Sequence, residues 1–197
     1  METKVEQYLY DQFVSSRSIA DRIINSQPLT SVISEVVRLI EQAFRDGRKL
    51  LLAGNGGSAA DSQHIAGEFV SRFEFDRPGL PAVALTTDTS ILTAIGNDYG
   101  YARLFARQIQ ALAVPGDVFI AYSTSGNSEN IIEALIEAKS RGVTTIGMTG
   151  NRKGLMDKHV DYLIDVPSDH TPRIQEGHLI IGHAICGAVE QRLFSSV

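Results

Sequence analysis

His64 and Glu68 stand four residues apart in KLLLAGNGGSAADSQHIAGEFVSRF (49–73). On a helix that spacing stacks two side chains on one face, a turn apart. An imidazole beside a carboxylate can exchange protons with a substrate near neutral pH, or help to hold a divalent metal. Just upstream, the apolar run Leu50-Leu51-Leu52-Ala53 turns through Gly54-Asn55-Gly56-Gly57-Ser58 before the helical segment begins. A strand, a glycine turn and a helix N-terminus in succession make an anion site. The first N–H groups of a helix have no partner within it, the helix dipole adds partial positive charge, and glycine lets the backbone approach a ligand closely. One short segment thus offers an anion cradle followed by two ionisable groups.

A second polar cluster, Ser123-Thr124-Ser125-Gly126-Asn127-Ser128, opens the helical stretch Glu129-Asn130-Ile131-Ile132. One hydroxyl would satisfy a helix cap; four within six residues exceed that need and point to a phosphate nest. No Lys follows in Walker fashion, so a nucleoside triphosphate is not implied. Gly54, Gly56 and Ala59 also fit G-x-G-x-x-A. The acidic residue that a dinucleotide site needs about 20 residues on is missing from its place: Glu74 and Asp76 precede the next strand and Asp88 falls late. Asn97 and Asp98, in Gly96-Asn97-Asp98-Tyr99-Gly100, read equally as ligands of sugar hydroxyls and as a turn built of turn-formers.

Near the C-terminus a helix capped by Thr171, with Pro172 in its first turn, carries Gln175, Glu176, His178 and His183 among apolar residues. Polar groups on a buried helix need partners. His64, Glu68, Gln175 and His183 make a donor set suited to Zn²⁺ or a similar ion. Gln175 and His183 are eight residues apart, about 12 Å along one helix axis, so long side chains must lean together, or two subunits must share the ion.

These residues need a scaffold, and the hydrophobic pattern predicts one. Residues 3–25 show helical spacing (Val5, Leu9, Phe13, Ile19, Ile23, Ile24), Ser26-Gln27-Pro28 breaks it, and a second helix is expected from about Thr30 to Asp46-Gly47. These two helices could cover a sheet or form a dimerisation surface. Apolar runs at 49–53, 81–86, 117–122, 143–148 and 160–166 then alternate with helical segments at 58–73, 89–96, 101–113, 128–141, 153–159 and 172–194. Continuous apolar strands between helices predict a parallel sheet buried on both faces, a single three-layer α/β/α sandwich with five strands. Residues 1–46 form its leading helices and 47–197 its α/β core. Ligands then belong just beyond the carboxyl ends of the strands. The longest loop, Glu74 to Leu80, reads as a connector.

The bulk numbers narrow the function classes. With 43 % hydrophobic and 21 % charged residues the chain is ordinary for a globular protein, and a net charge of −5 with no basic block gives a nucleic-acid partner no support. The single cysteine, Cys186, lies among apolar residues and reads as a buried hydrophobe. The N-terminus lacks an apolar signal core, and no apolar run approaches the ~20 residues of a membrane helix. A cytoplasmic protein without a membrane partner is expected.

AGNGGSAADSQHIAGEF, LTAIGNDYGY, STSGNS and RIQEGHLIIGH, in that order between Leu50 and His183, resemble the phosphoheptose isomerases of the sugar-isomerase (SIS) domain group. The resemblance implies conversion of sedoheptulose 7-phosphate to D-glycero-D-manno-heptose 7-phosphate, the first step toward the heptose of bacterial lipopolysaccharide. It also implies a homotetramer with active sites between subunits and one zinc ion per subunit. Carried over by motif, Asn55, Gly56, Gly57, Asn97, Asp98, Ser123, Thr124, Ser125 and Ser128, with Glu68 and Gln175, contact the sugar phosphate. Glu68 and His183 are the acid–base pair, and His64, Glu68, Gln175 and His183 correspond to the metal ligands. Two other classes share the fold: a non-catalytic relative that binds a replication initiator, and a sugar-phosphate sensor. The former has no acidic residue aligned with Glu68, and the latter needs no acid–base pair, so the presence of both Glu68 and His183 favours an enzyme.

Overall fold

A computed structural model describes residues 3–195. Two helices lead, α1 (Lys4–Ile24) and α2 (Gln27–Arg45). Thr3 and Glu6 close a capping box at the start of α1. α2 begins earlier than its sequence pattern predicts. Pro28 does not break the helix but occupies its first turn, where a missing N–H costs nothing. Then follow β1 (Leu50–Ala53), α3 (Gly57–Val70), β2 (Ala82–Ala84), α4 (Thr89–Tyr99), α5 (Ala106–Leu112), β3 (Val118–Tyr122), α6 (Glu129–Ser140), β4 (Thr144–Gly150), β5 (Tyr162–Val166) and α7 (Thr171–Phe194). Short 3₁₀ turns lie at Tyr101–Arg103 and Gly154–Lys158.

The five strands form one parallel sheet in the order β2-β1-β3-β4-β5. Strand side chains alternate between two cores. Leu50, Leu52, Val118, Ile120 and Tyr122 join α1, α2, α3 and α7 on one face. Leu51, Ala53, Phe119 and Ala121 join α5 and α6 on the other. All four residues of β1 and all five of β3 are buried. That is why these strands read as unbroken apolar runs. The chain leaves each parallel strand at the carboxyl edge of the sheet, so the starts of α3, α6 and α7, which follow β1, β3 and β5, gather there. Among the described residues no helix is long and apolar enough to cross a membrane.

Other boundaries also differ from expectation. The helix predicted over 101–113 is divided into the 3₁₀ turn and α5. Leu104 and Phe105 are both in the core, 5 % and 2 % exposed, whereas adjacent side chains on a straight helix point about 100° apart. α7 is capped by His170, one residue before the expected Thr171, with Pro172 in its first turn.

Candidate active site

The turn after β1 is shaped by Gly56, whose φ of 56° lies in the left-handed region that glycine tolerates best. Gly57 opens α3 with the amide of Gln175 packed directly over it: a Cβ there would stand 2.3 Å from Gln175 Nε2. The Asn55 side chain reaches toward α6. It exchanges two hydrogen bonds with buried Asn130, donating from Nδ2 to Oδ1 at 2.9 Å and accepting from Nδ2 at 2.8 Å, and its Oδ1 also accepts from Tyr101 Oη at 2.9 Å. Asn130 belongs to the first turn of α6, so the pair ties the turn after β1 to the turn after β3.

In that second turn Ser128 is the N-cap residue, yet its hydroxyl makes no cap bond to α6; it lies 2.9 Å from the hydroxyl of Ser123. Gly126, at φ 66°, packs so closely on Lys153 that a Cβ would fall 1.9 Å from the Lys153 carbonyl oxygen. Asn127 Oδ1 accepts from Leu155 N at 2.9 Å, so the loop after β4 braces the nest. Thr124, Ser125 and Asn127 line a cavity of about 200 Å³ together with Asn151 and Arg152 after β4 and Ser168 and Asp169 after β5. An Arg152–Asp169 ion pair, 3.4 Å, spans its rim. These last four were not singled out in the sequence. The rule that ligands lie beyond strand ends applies to β4 and β5 as to β1 and β3, and would have found them.

Further along α3 three donors converge. His64 Nε2 and His183 Nε2 are 2.8 Å apart, and His64 Nε2 is 3.3 Å from Glu68 Oε1. One ligand atom from each of His64, Glu68 and His183 lies within 4.8 Å of the others. A single chain brings these three together without a second subunit. α7 runs alongside α3 in the same direction: Gln175 meets Gly57 and His183 meets His64. Gln175, the fourth expected ligand, is therefore held two helical turns before His64, against Gly57.

Other polar residues have different places. His178 is fully buried, with Nε2 3.2 Å from the Thr149 carbonyl oxygen and its ring edge-on to Tyr122. Burial pushes its pKa down to about 4. It is a core histidine, separate from the His64–Glu68–His183 cluster. Asp61, one turn before His64, has a buried Oδ2 without a hydrogen-bond partner among the described residues, and burial raises its carboxyl to about 6 against the opposing pull of His64. Burial, helped by the charge of Glu68, pushes the Cys186 thiol up, as an inert hydrophobe requires.

Asn97 and Asp98, expected at the sugar, line neither the cavity beside Thr124 and Ser125 nor the one beside Asn55 and Gly56. α4 continues through them and stops at Gly100, whose φ of 82° makes the turn. Asn97 Nδ2 donates to Asp98 Oδ1 at 2.7 Å, and Asp98 faces a hollow between α4 and α5 beside Arg107. Asp88, the late acid of the dinucleotide motif, caps α4 by accepting from Ile91 N at 2.9 Å.

Comparison with known proteins gives consistent findings. The SIS domain family matches residues 13–150. A phosphoheptose isomerase of Burkholderia pseudomallei is 56 % identical over 194 residues, covering 98 % of this chain and 98 % of that protein. The structure of a phosphoheptose isomerase from Neisseria gonorrhoeae aligns with a TM-score of 0.89 at 39 % identity, over 95 % of this chain and 100 % of the other. One from Francisella tularensis aligns with a TM-score of 0.91 at 34 % identity, over 96 % and 100 %.

Proposed function

The chain belongs to the SIS domain family and, within it, to the phosphoheptose isomerases, and on that footing we propose how its own residues interconvert sedoheptulose 7-phosphate and D-glycero-D-manno-heptose 7-phosphate. The enzyme is an isomerase, acting in the synthesis of bacterial heptose.

The reaction moves a carbonyl from C2 to C1 with no net oxidation. A base removes one proton from C1 while an acid protonates the C2 carbonyl oxygen, which gives an enediol. A proton then returns to C2 and the C1 hydroxyl loses its own, leaving the aldose. Glu68 and His183 carry these transfers. One observation supports the reading above all: the His64 imidazole and Glu68 carboxylate of α3 and the His183 imidazole, 119 residues from His64 in the chain, converge so that one ligand atom from each lies within 4.8 Å of the others. The phosphate rests on the hydroxyls of Ser123, Thr124, Ser125 and Ser128 and on the backbone of Asn55, Gly56 and Gly57. From Gly57 to His64 the helix rises about 10 Å, comparable to the length of an extended seven-carbon sugar phosphate. An anchored phosphate therefore delivers the first two carbons to the acid–base pair, and remote binding supplies the positioning. A purely binding role needs no carboxylate and imidazole placed as an acid–base pair. Glu68→Gln is expected to lower kcat for sedoheptulose 7-phosphate by about 1000-fold while phosphate-ligand affinity holds; retained turnover would refute the assignment.

Zinc, one ion per subunit, suits the donors. The ring nitrogens of His64 and His183, facing each other at 2.8 Å, are satisfied by a hydrogen bond from one ring to the other or by a cation between their lone pairs. His64, Glu68 and His183 would hold the ion, with Gln175 the fourth donor that the family resemblance implies. Bound there, zinc would supply Lewis-acid stabilisation of the oxygen charge that develops on enolisation, with Glu68 and His183 exchanging ligation for proton transfer as substrate binds. Elemental analysis is expected to find about one zinc per chain, and chelation to lower the thermal midpoint. Purified active protein free of metal would count against it.

The proposed assembly is a homotetramer with active sites between subunits. α1 supports this: Val5, Tyr8, Tyr10 and Phe13 are 65 %, 62 %, 64 % and 69 % exposed, a larger run of apolar side chains than a lone chain usually leaves uncovered.

A further inference from the structure

The loop between α3 and β2 reads in the sequence as a connector, and the structure gives it a second task. Arg77, from its middle, is sealed from solvent: its side chain is 2 % exposed, and that of its partner Glu190 on α7 is 0 %. Arg77 Nε donates to Glu190 Oε1 at 2.9 Å. Its two terminal nitrogens turn back onto the end of α3, Nη2 donating to the Glu68 carbonyl oxygen at 2.8 Å and Nη1 to that of Phe69 at 2.6 Å. These are carbonyls that a helix end leaves without partners. α3 carries no basic residue in its own last turn, and Arg77 supplies that cation from outside.

Glu190 grips the same loop. Its carboxylate accepts from Phe73 N at 3.0 Å and Glu74 N at 2.8 Å. Phe73, so fixed, lays its ring on the imidazole of His183, with centroids 5.5 Å apart and planes 37° from parallel. Gly187 leaves room for this approach: a Cβ there would lie 3.2 Å from the Phe73 ring. One buried ion pair therefore reaches the backbone of Glu68 on one side and, through Phe73, the ring of His183 on the other.

We propose that Arg77 and Glu190 are positioning residues: their clasp of the 71–78 loop sets the separation of Glu68 and His183, and so governs proton transfer without taking part in sugar-phosphate binding. The inference rests on the acid–base reading above. Small displacements of reacting groups cost rate steeply, about 100-fold for 1 Å.

Removing one partner leaves the other buried and unpaired, and such a variant can fail to fold. The pair is therefore replaced together, Arg77→Met with Glu190→Leu, beside the conservative Arg77→Lys, which keeps the charge but loses the fork. Steady-state kinetics with sedoheptulose 7-phosphate, normalised to folded protein by circular dichroism, are measured with the affinity for inorganic phosphate. kcat is expected to fall about 100-fold in the double variant and about tenfold in Arg77→Lys, with KM and phosphate affinity within about threefold of wild type. Wild-type kcat in a folded variant overturns the proposal, and so does a loss carried by KM. Should the double variant not fold, Arg77→Lys decides on the same criteria. Turnover retained by Glu68→Gln would instead sink the acid–base reading, whereas an inactive Glu68→Gln beside a fully active Arg77→Lys sinks this inference alone.

Discussion

His178 and His183 lie five residues apart on α7 and have opposite surroundings. His183 meets His64 at the cleft, while His178 is enclosed against Tyr122 and Thr149. Spacing on one helix could not separate them, because which face of α7 meets the sheet is decided by packing. The enclosure has a measurable effect. Burial holds the His178 pKa in the folded chain at about 4, below the value near 6.5 of an unfolded chain. As pH falls the unfolded chain takes up this proton first, so the contribution is fully present above about pH 6.5 and is lost progressively down to about pH 4. It amounts to ~3 kcal/mol. Asp61 works in the opposite direction, since its raised carboxyl pKa favours the folded state on acidification. Urea unfolding followed from pH 7 to 4.5 is expected to show falling stability, and His178→Gln to flatten that slope. An equal slope in the variant would assign the loss to other groups.

At the scale of elements, the Asn55–Asn130 pair joins two helix starts that the sequence presents as separate anion turns. The sequence marks both turns plainly, through glycines and clustered hydroxyls. It does not mark Asn130, because an asparagine in the first turn of a helix is common and nothing local shows its partner to be 75 residues away. The strands were legible for a similar local reason: each is a short, continuous apolar run. The division of 101–113 and the length of α4 were not, since the burial of Leu104 and Phe105 and the turn at Gly100 depend on neighbours distant in the chain. Arg77 in its loop shows the same blindness, having partners on α3 and α7. Asn130→Ala breaks both amide bonds and leaves Asn55 Nδ2 without its acceptor. It is expected to cost about 2 kcal/mol of stability and to raise KM about tenfold with a smaller change in kcat, as two anchoring turns lose their common spacing. Denaturant melts and steady-state kinetics check both, and an unchanged KM would make the pair a purely internal brace.

At the scale of the whole molecule, α1 divides into two halves. Ile19 and Ile23 are buried on the body of the chain, whereas Val5, Leu9 and Phe13 of the same apolar pattern are exposed. The helical spacing announces an apolar stripe but cannot say whether its own chain or another copy covers it. In the proposed tetramer another copy does. Phe13→Glu, at a position 69 % exposed in the single chain, is expected to leave folding intact and to shift sedimentation toward smaller species. A variant that sediments as wild type would move the interface elsewhere.

The parallel course of α3 and α7 also constrains what this enzyme can become. The glycine turn and the histidine are fixed marks on one rigid ruler. Inserting a residue between them advances the histidine by about 1.5 Å but swings it about 100° away from its partner on α7. Only whole turns, steps of about 5.4 Å, restore the facing. Relatives that accept a sugar one carbon longer or shorter should therefore arise by remodelling the loops around the cradle, with the count of helical residues between its ends left unchanged.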